Sequence, residues 1–131
     1  MIVVDTSALV AILRKEEDAV RYANALADAE RCLMSTVSRL EAAMVLVGRG
    51  VAESADVLDR LVQEAGIEVV PFDDIQASLA RHAFYRYGKG RHPASLNMGD
   101  CVSYALARAW RSPLLFKGND FSRTDIVSAL P

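Results

Sequence analysis

Cysteine is scarce in this sequence: Cys32 and Cys101 are the two among 131 residues. Two thiols build no disulfide framework, and neither stands in a CxxC or Cys/His zinc pattern. The expectation is a reduced, cytoplasmic protein. No apolar run approaches the roughly 20 residues of a membrane span, so no membrane association is expected. The amino terminus lacks a basic n-region and Asp5 interrupts any apolar h-region, which argues against a signal peptide. Repeats, linkers and low-complexity tracts are also missing. Acids are scarce in one stretch only. Between Ile75 and Asn119 the sole acid is Asp100, among seven Lys/Arg.

What is present is an apolar chain, 52% hydrophobic, long enough to bury roughly two thirds of its unfolded surface. Two domains would each have too small a core, so residues 1–131 are read as one. The net charge of −2 argues against indiscriminate nucleic-acid binding. Its distribution says more: residues 1–74 carry 7 Lys/Arg against 14 Asp/Glu, residues 75–131 carry 8 against 3. A lone acid in a basic stretch fits a metal ligand beside an anion-binding surface; it also fits a solvated basic face.

Short apolar runs alternate with longer helical ones. Ile2–Val4, Cys32–Met34, Ile67–Val70 and Leu114–Phe116 read as strands. Helices are predicted from Thr6 and Ser7, as caps, to about Leu13, and over Ala19–Ala29, Ser38–Val47, Ala52–Glu64, Asp73–Tyr87 and Met98–Trp110. A Gly/Pro loop covers Gly88–Leu96. The order β-α-α-β-α-α-β-α-α-β predicts an α/β fold of three layers, a short parallel sheet with helices on both faces. Ligands in such folds bind beyond the carboxyl ends of the strands.

Four acids are expected there. Asp5 follows the first strand, Glu41 sits one turn into the helix after the second, Asp100 opens the last helix, and Asp120 follows the fourth strand. Each also has a plain structural reading. Asp5 could be a helix cap, Glu41 part of a Ser38/Glu41 capping box, Asp100 a macrodipole partner and Asp120 a turn residue. Together they suggest more. Two carboxylates about 4 Å apart repel by roughly 4 kcal/mol at an effective dielectric of 20. Ionised clusters of this kind need a cation, and oxygen-only ligands select Mg²⁺ or Mn²⁺. Phosphodiester hydrolysis is the chemistry that follows.

The opening Met1-Ile-Val-Val-Asp-Thr-Ser-Ala-Leu-Val-Ala-Ile-Leu13 resembles that of PIN-domain ribonucleases. His92-Pro-Ala-Ser-Leu-Asn-Met-Gly-Asp-Cys101 and Leu114-Leu-Phe-Lys-Gly-Asn-Asp-Phe-Ser-Arg-Thr-Asp-Ile126 resemble the VapC toxins of bacterial toxin–antitoxin pairs. The resemblance implies a PIN fold and a Mg²⁺-dependent endoribonuclease, with Mn²⁺ a substitute. It implies a homodimer, a VapB-type antitoxin that blocks the site, and operator DNA bound only through the antitoxin complex. It makes Asp5 and Asp100 the principal metal ligands, with Glu41 and Asp120 the third and fourth acids. Many members carry two acids before the Phe; here Asn119 precedes Asp120, leaving that role to Asp120 and weakening a second metal site.

Around these, Thr6 and Ser7 are candidates for bonding a phosphate or a metal-bound water, and Lys89 and Arg91 for holding RNA phosphates. His92, beside Pro93, reads as a turn residue and Cys101 as a small buried one. Tyr85, Tyr87 and Trp110 read as packing before base stacking. Asp125 reads as structural. Val57, Leu58, Leu61 and Val62 form a stripe that serves either the protein's own core or an antitoxin groove. Three rival functions remain. One is a non-catalytic RNA- or protein-binding module; the second is a phosphatase or receiver-type domain using Asp5 as nucleophile, which lacks the usual second acid beside it; the third, within the nucleases, is a DNA-directed flap nuclease.

Overall fold

The structure, a computed structural model, describes residues 1–131. The elements run β1 (Ile2–Val4), α1 (Thr6–Leu13), α2 (Ala19–Asp28), β2 (Cys32–Ser35), α3 (Thr36–Gly48), α4 (Ser54–Glu64), β3 (Ile67–Val70), α5 (Asp74–Tyr87), α6 (Met98–Trp110) and β4 (Leu114–Leu115). A 3-10 turn follows at Phe121–Arg123. This is the predicted alternation. The strands pair in parallel in the order β3-β2-β1-β4, with Val3 opposite both Leu33 and Leu114.

Strand side chains alternate between two apolar clusters, as the period of two requires. Val4, Cys32, Met34, Ile67 and Leu115 join one, with Leu9, Leu26, Leu46 and Leu58 from α1 to α4. Val3, Leu33 and Leu114 join the other, with Ala83, Tyr104 and Leu106 from α5 and α6. The sheet is therefore the middle of three layers. Burial on both faces is why β1, β2 and β4 read as apolar runs rather than alternating ones, whereas the edge strand β3 carries the exposed Glu68.

Two helix starts differ from expectation. The α1 cap is Asp5, which accepts the Ser7 amide; Thr6 and Ser7 do not cap. The α3 helix begins at Thr36, because the Ser35 hydroxyl accepts the Val37 amide. Ser38 therefore lies inside the helix, buried, and the expected Ser38/Glu41 capping box does not form. The Val57–Val62 stripe belongs to the core: Leu58 and Val62 are buried in the larger cluster and Leu61 packs against it. No helix is long and apolar enough to cross a membrane.

The strand order positions the site. The chain steps outward from β1 to β3 and then returns to the far side of β1 as β4. The carboxyl ends of β1 and β4 flank that reversal, which is where an open α/β sheet leaves a crevice. Asp5 directly follows β1, and Asp120 follows β4 by five residues.

Candidate active site

Asp5 is 4% exposed and carries three hydrogen bonds. Its Oδ2 accepts from the Ser7 amide at 3.0 Å and the Ser7 hydroxyl at 2.5 Å. Its Oδ1 accepts from the Ser103 hydroxyl at 2.5 Å. Burial nevertheless lifts its pKa above the ordinary carboxylate value; the Ser103 and Ser7 bonds oppose this, and the charge of Asp120 adds to it. The cap reading and the site reading of Asp5 thus coexist.

Asp100 sits in the first turn of α6 in a reciprocal capping box. Asn97 Oδ1 accepts the Asp100 amide at 2.9 Å, and Asp100 Oδ2 accepts the Asn97 amide at 3.0 Å. Half-buried, it is pushed up to about 7 by desolvation, with the charges of Asp5, Asp120 and Glu41 adding. All three other acids therefore act on Asp100. Glu41 is half-buried on α3, raised by burial and by Asp5 while the neighbouring Thr6 hydroxyl opposes. Its carboxylate lies against α6 at Gly99, where any β-carbon would fall 2.0 Å from Glu41 Oε2. A side chain at 99 would push that carboxylate away from the turn that carries Asp100. Asp120 is exposed and precedes the 3-10 turn without capping it.

No cation figures among the main influences on Asp5, Glu41 or Asp100. Lys117, next to the site in sequence, is engaged elsewhere: its Nζ contacts Glu16 at 2.5 Å and Asp18 at 2.9 Å. The side chains as placed form no ready-made group of three metal ligands. The donor set does fit a hard divalent ion. It consists of carboxylate oxygens with no thiolate or imidazole, and burial first, with neighbouring acid charges adding, raises the proton affinity of Asp5, Glu41 and Asp100.

The supporting residues divide. The Thr6 hydroxyl donates to the Ser38 carbonyl at 3.0 Å, and the Ser7 hydroxyl bridges Asp5 and the Lys117 amide. Lys89 and Arg91 are exposed in the loop before α6; Arg91 lies over the Tyr85 ring and donates to the Tyr85 carbonyl. His92 Nδ1 accepts the Ala94 amide, and the ring packs edge-on against buried Tyr87. Trp110 stacks with Arg31. Cys101 is buried, its thiol pushed up to about 11 by desolvation and Asp100. Asp125 accepts the Tyr104 hydroxyl at 2.7 Å and faces Arg86 and Arg108. Sequence reading passed over Ser38 as a buried group and Ser103 altogether, yet both are 1% exposed and Ser103 holds Asp5. The available signal was spacing: Ser38 stands three residues before Glu41, and Ser103 three after Asp100.

The family described as PIN domain matches residues 2–127. Ribonuclease VapC28 of Mycobacterium tuberculosis is 50% identical over 129 residues, covering 98% of this chain and 97% of the relative. The fold is that of the crystal structure of Mycobacterium tuberculosis VapC20, a sarcin-ricin loop cleaving toxin. The TM-score is 0.81 at 18% identity, with both chains fully covered. A toxin–antitoxin complex from Klebsiella pneumoniae matches at TM-score 0.71 and 17% identity over 98% of each chain. With a family match over nearly its whole length and half its residues shared with a named member, this chain belongs to the PIN-domain family and, within it, to the VapC ribonucleases.

Proposed function

We propose that this protein is a divalent-metal-dependent endoribonuclease, the toxin of a toxin–antitoxin pair. The observation that carries the reading is the set of four carboxylates at the β1/β4 reversal with no counter-charge among them, Asp100 pushed up to about 7. Asp5 and Asp100 would hold Mg²⁺ or Mn²⁺. Such an ion supplies Lewis-acid stabilisation of a phosphate oxygen and eases ionisation of water.

The chain's own groups do the rest. Glu41, its proton affinity raised by burial, is the group placed to act as general base, and Asp120 would orient the attacking water. Ser7 and Thr6 hold the Asp5 and α3 ends of the site in register. Lys89 and Arg91 offer cations to RNA phosphates along the approach to α6. Water attacking phosphorus in line, with the 3′ oxygen leaving, gives 5′-phosphate and 3′-hydroxyl ends. The single domain works as a cytoplasmic homodimer. A VapB-type antitoxin blocks the site by placing an Arg or Lys among the acids, so its affinity falls as Mg²⁺ rises. Operator DNA is bound through that complex.

The test is cleavage of total RNA with Mg²⁺ and with chelator, mapping the ends, for wild type and Asp100→Asn. Metal-dependent cuts with 5′-phosphate ends, lost in the variant, are expected. Equal cleavage by both proteins, or none by wild type, refutes the reading and favours a non-catalytic binding module.

A further inference from the structure

We propose that the buried Ser38–Ser103 hydroxyl pair is a positioning device that sets the Asp5 carboxylate for cation binding; this rests on the metal-site reading above.

Ser103 and Ser38 are each 1% exposed, and their Oγ atoms lie 3.3 Å apart. A serine hydroxyl has one proton. Ser103 gives its proton to Asp5 Oδ1, since an ionised carboxylate can only accept. Ser103 must then accept from Ser38. The direction is fixed: Ser38 donates to Ser103, and Ser103 to Asp5.

The chain of bonds joins the three elements that carry the acids. Asp5 follows β1 and caps α1, Ser38 lies one helical turn before Glu41 on α3, and Ser103 lies one turn after Asp100 on α6. Thr6 adds a second tie from the start of α1 to the Ser38 carbonyl. Holding Ser38 against Ser103 therefore holds the Glu41 turn against the Asp100 turn, where Gly99 leaves space for the Glu41 carboxylate.

The two Asp5 oxygens are not equivalent. Oδ2 accepts two donors from Ser7, which uses both its lone pairs. Oδ1 accepts Ser103 alone and keeps one lone pair. Oδ1 is thus the oxygen through which Asp5 would hold a cation, and Ser103 fixes the rotation of the carboxylate that aims it. A serine placed mid-helix in an apolar segment would ordinarily bond back to its own helix; this one reaches across to Asp5.

The test is Mn²⁺ binding by calorimetry, without RNA. Ser103→Ala is expected to weaken binding by about 10–100-fold, the range for groups that orient metal ligands. Ser103→Thr keeps the hydroxyl and recovers the affinity. Ser112→Ala, which also removes a buried hydroxyl but one bonded to the Met1 carbonyl, keeps wild-type affinity. Wild-type affinity in Ser103→Ala, or an equal loss in Ser112→Ala, overturns the proposal. Should Ser103→Ala fail to fold, Ser38→Ala carries the same test: weakened affinity supports the device and unchanged affinity overturns it. A wild type that takes up no Mn²⁺ overturns it as well. A wild type that binds Mn²⁺ but leaves RNA uncut refutes the ribonuclease reading and leaves the positioning of Asp5 standing.

Discussion

Asp100 and Asp125 both belong to the surroundings of α6, and their environments are opposite. Asp125 meets the Tyr104 hydroxyl, Arg108 and Arg86, and these outweigh its partial burial to hold it below the ordinary carboxylate value. Asp100 meets desolvation and three other carboxylates, and it rises to about 7. One acid has its counter-charge built in; the other shares a crevice where the chain supplies none. On the proposed function, the difference separates an acid that stabilises the fold from acids placed to hold an ion.

The largest effect should come from removing charge on each side of that comparison. Asp100→Asn and Asp5→Asn should fold and lose RNA cleavage by more than about 100-fold, the upper scale for residues that only support ligands. Asp100→Asn should also melt higher than wild type without metal, because carboxylate repulsion is relieved, whereas Asp5→Asn turns an amide donor toward a Ser7 or Ser103 donor and should melt no higher. Asp125→Asn should do the reverse, leaving cleavage near wild type. It should destabilise by about 1 kcal/mol through the Tyr104 bond; its exposed ion pairs with Arg86 and Arg108 add little. Gel cleavage assays and thermal melts check all three.

Opposed pH slopes should follow. Asp100 has a raised folded pKa, so its contribution to stability is present below the ordinary carboxylate range and is lost as pH climbs to about 7. Asp125 has a lowered one, so its contribution is lost as pH falls through the acid range. Metal-free protein should therefore melt lower at pH 7 than at pH 5, and saturating Mg²⁺ should remove that decline. Asp100→Asn should flatten the neutral limb, and Asp125→Asn should flatten the acid one.

Smaller effects sharpen the contrast at the periphery. Arg91→Ala should raise KM without changing kcat and reduce the salt slope of RNA binding by about one. Smallest is Lys117→Ala. Its ion pairs with Glu16 and Asp18 are screened by solvent, so the melting temperature should barely move. Its backbone bond to Ser7 survives the substitution.

The element order was legible because the strands are short and mostly apolar and several stops are visible: Gly48 and Gly50 after α3, Gly66 after α4 and Pro71 after β3. Met98–Trp110 was read to the residue, since Asn97 caps it and the loop before it cannot be helical. The α3 start was not, because Ser35 and Ser38 both fit a cap and sequence does not say which hydroxyl reaches a free amide. The stripe on α4 was ambiguous for the same kind of reason: periodicity shows that a face is apolar, not what covers it. Ser103 went unread because its partner, Asp5, lies 98 residues away. Hydrogen bonds across that distance follow from the β1–α6 packing, and a lone serine in an apolar helix gives no sign of them.

Asp5, Glu41, Asp100 and Asp120 make up the proposed divalent-cation site, in which burial and the neighbouring acids push Asp100 up to about 7. Mn²⁺ calorimetry at pH 7 in two buffers of different ionisation enthalpy tests it most directly. Binding to wild type should release protons, because the ligand must ionise fully to coordinate. Asp100→Asn should lose both the binding and the release, whereas Asp125→Asn should keep both. Mn²⁺ binding of wild-type strength in Asp100→Asn, or binding without proton release, would contradict the account.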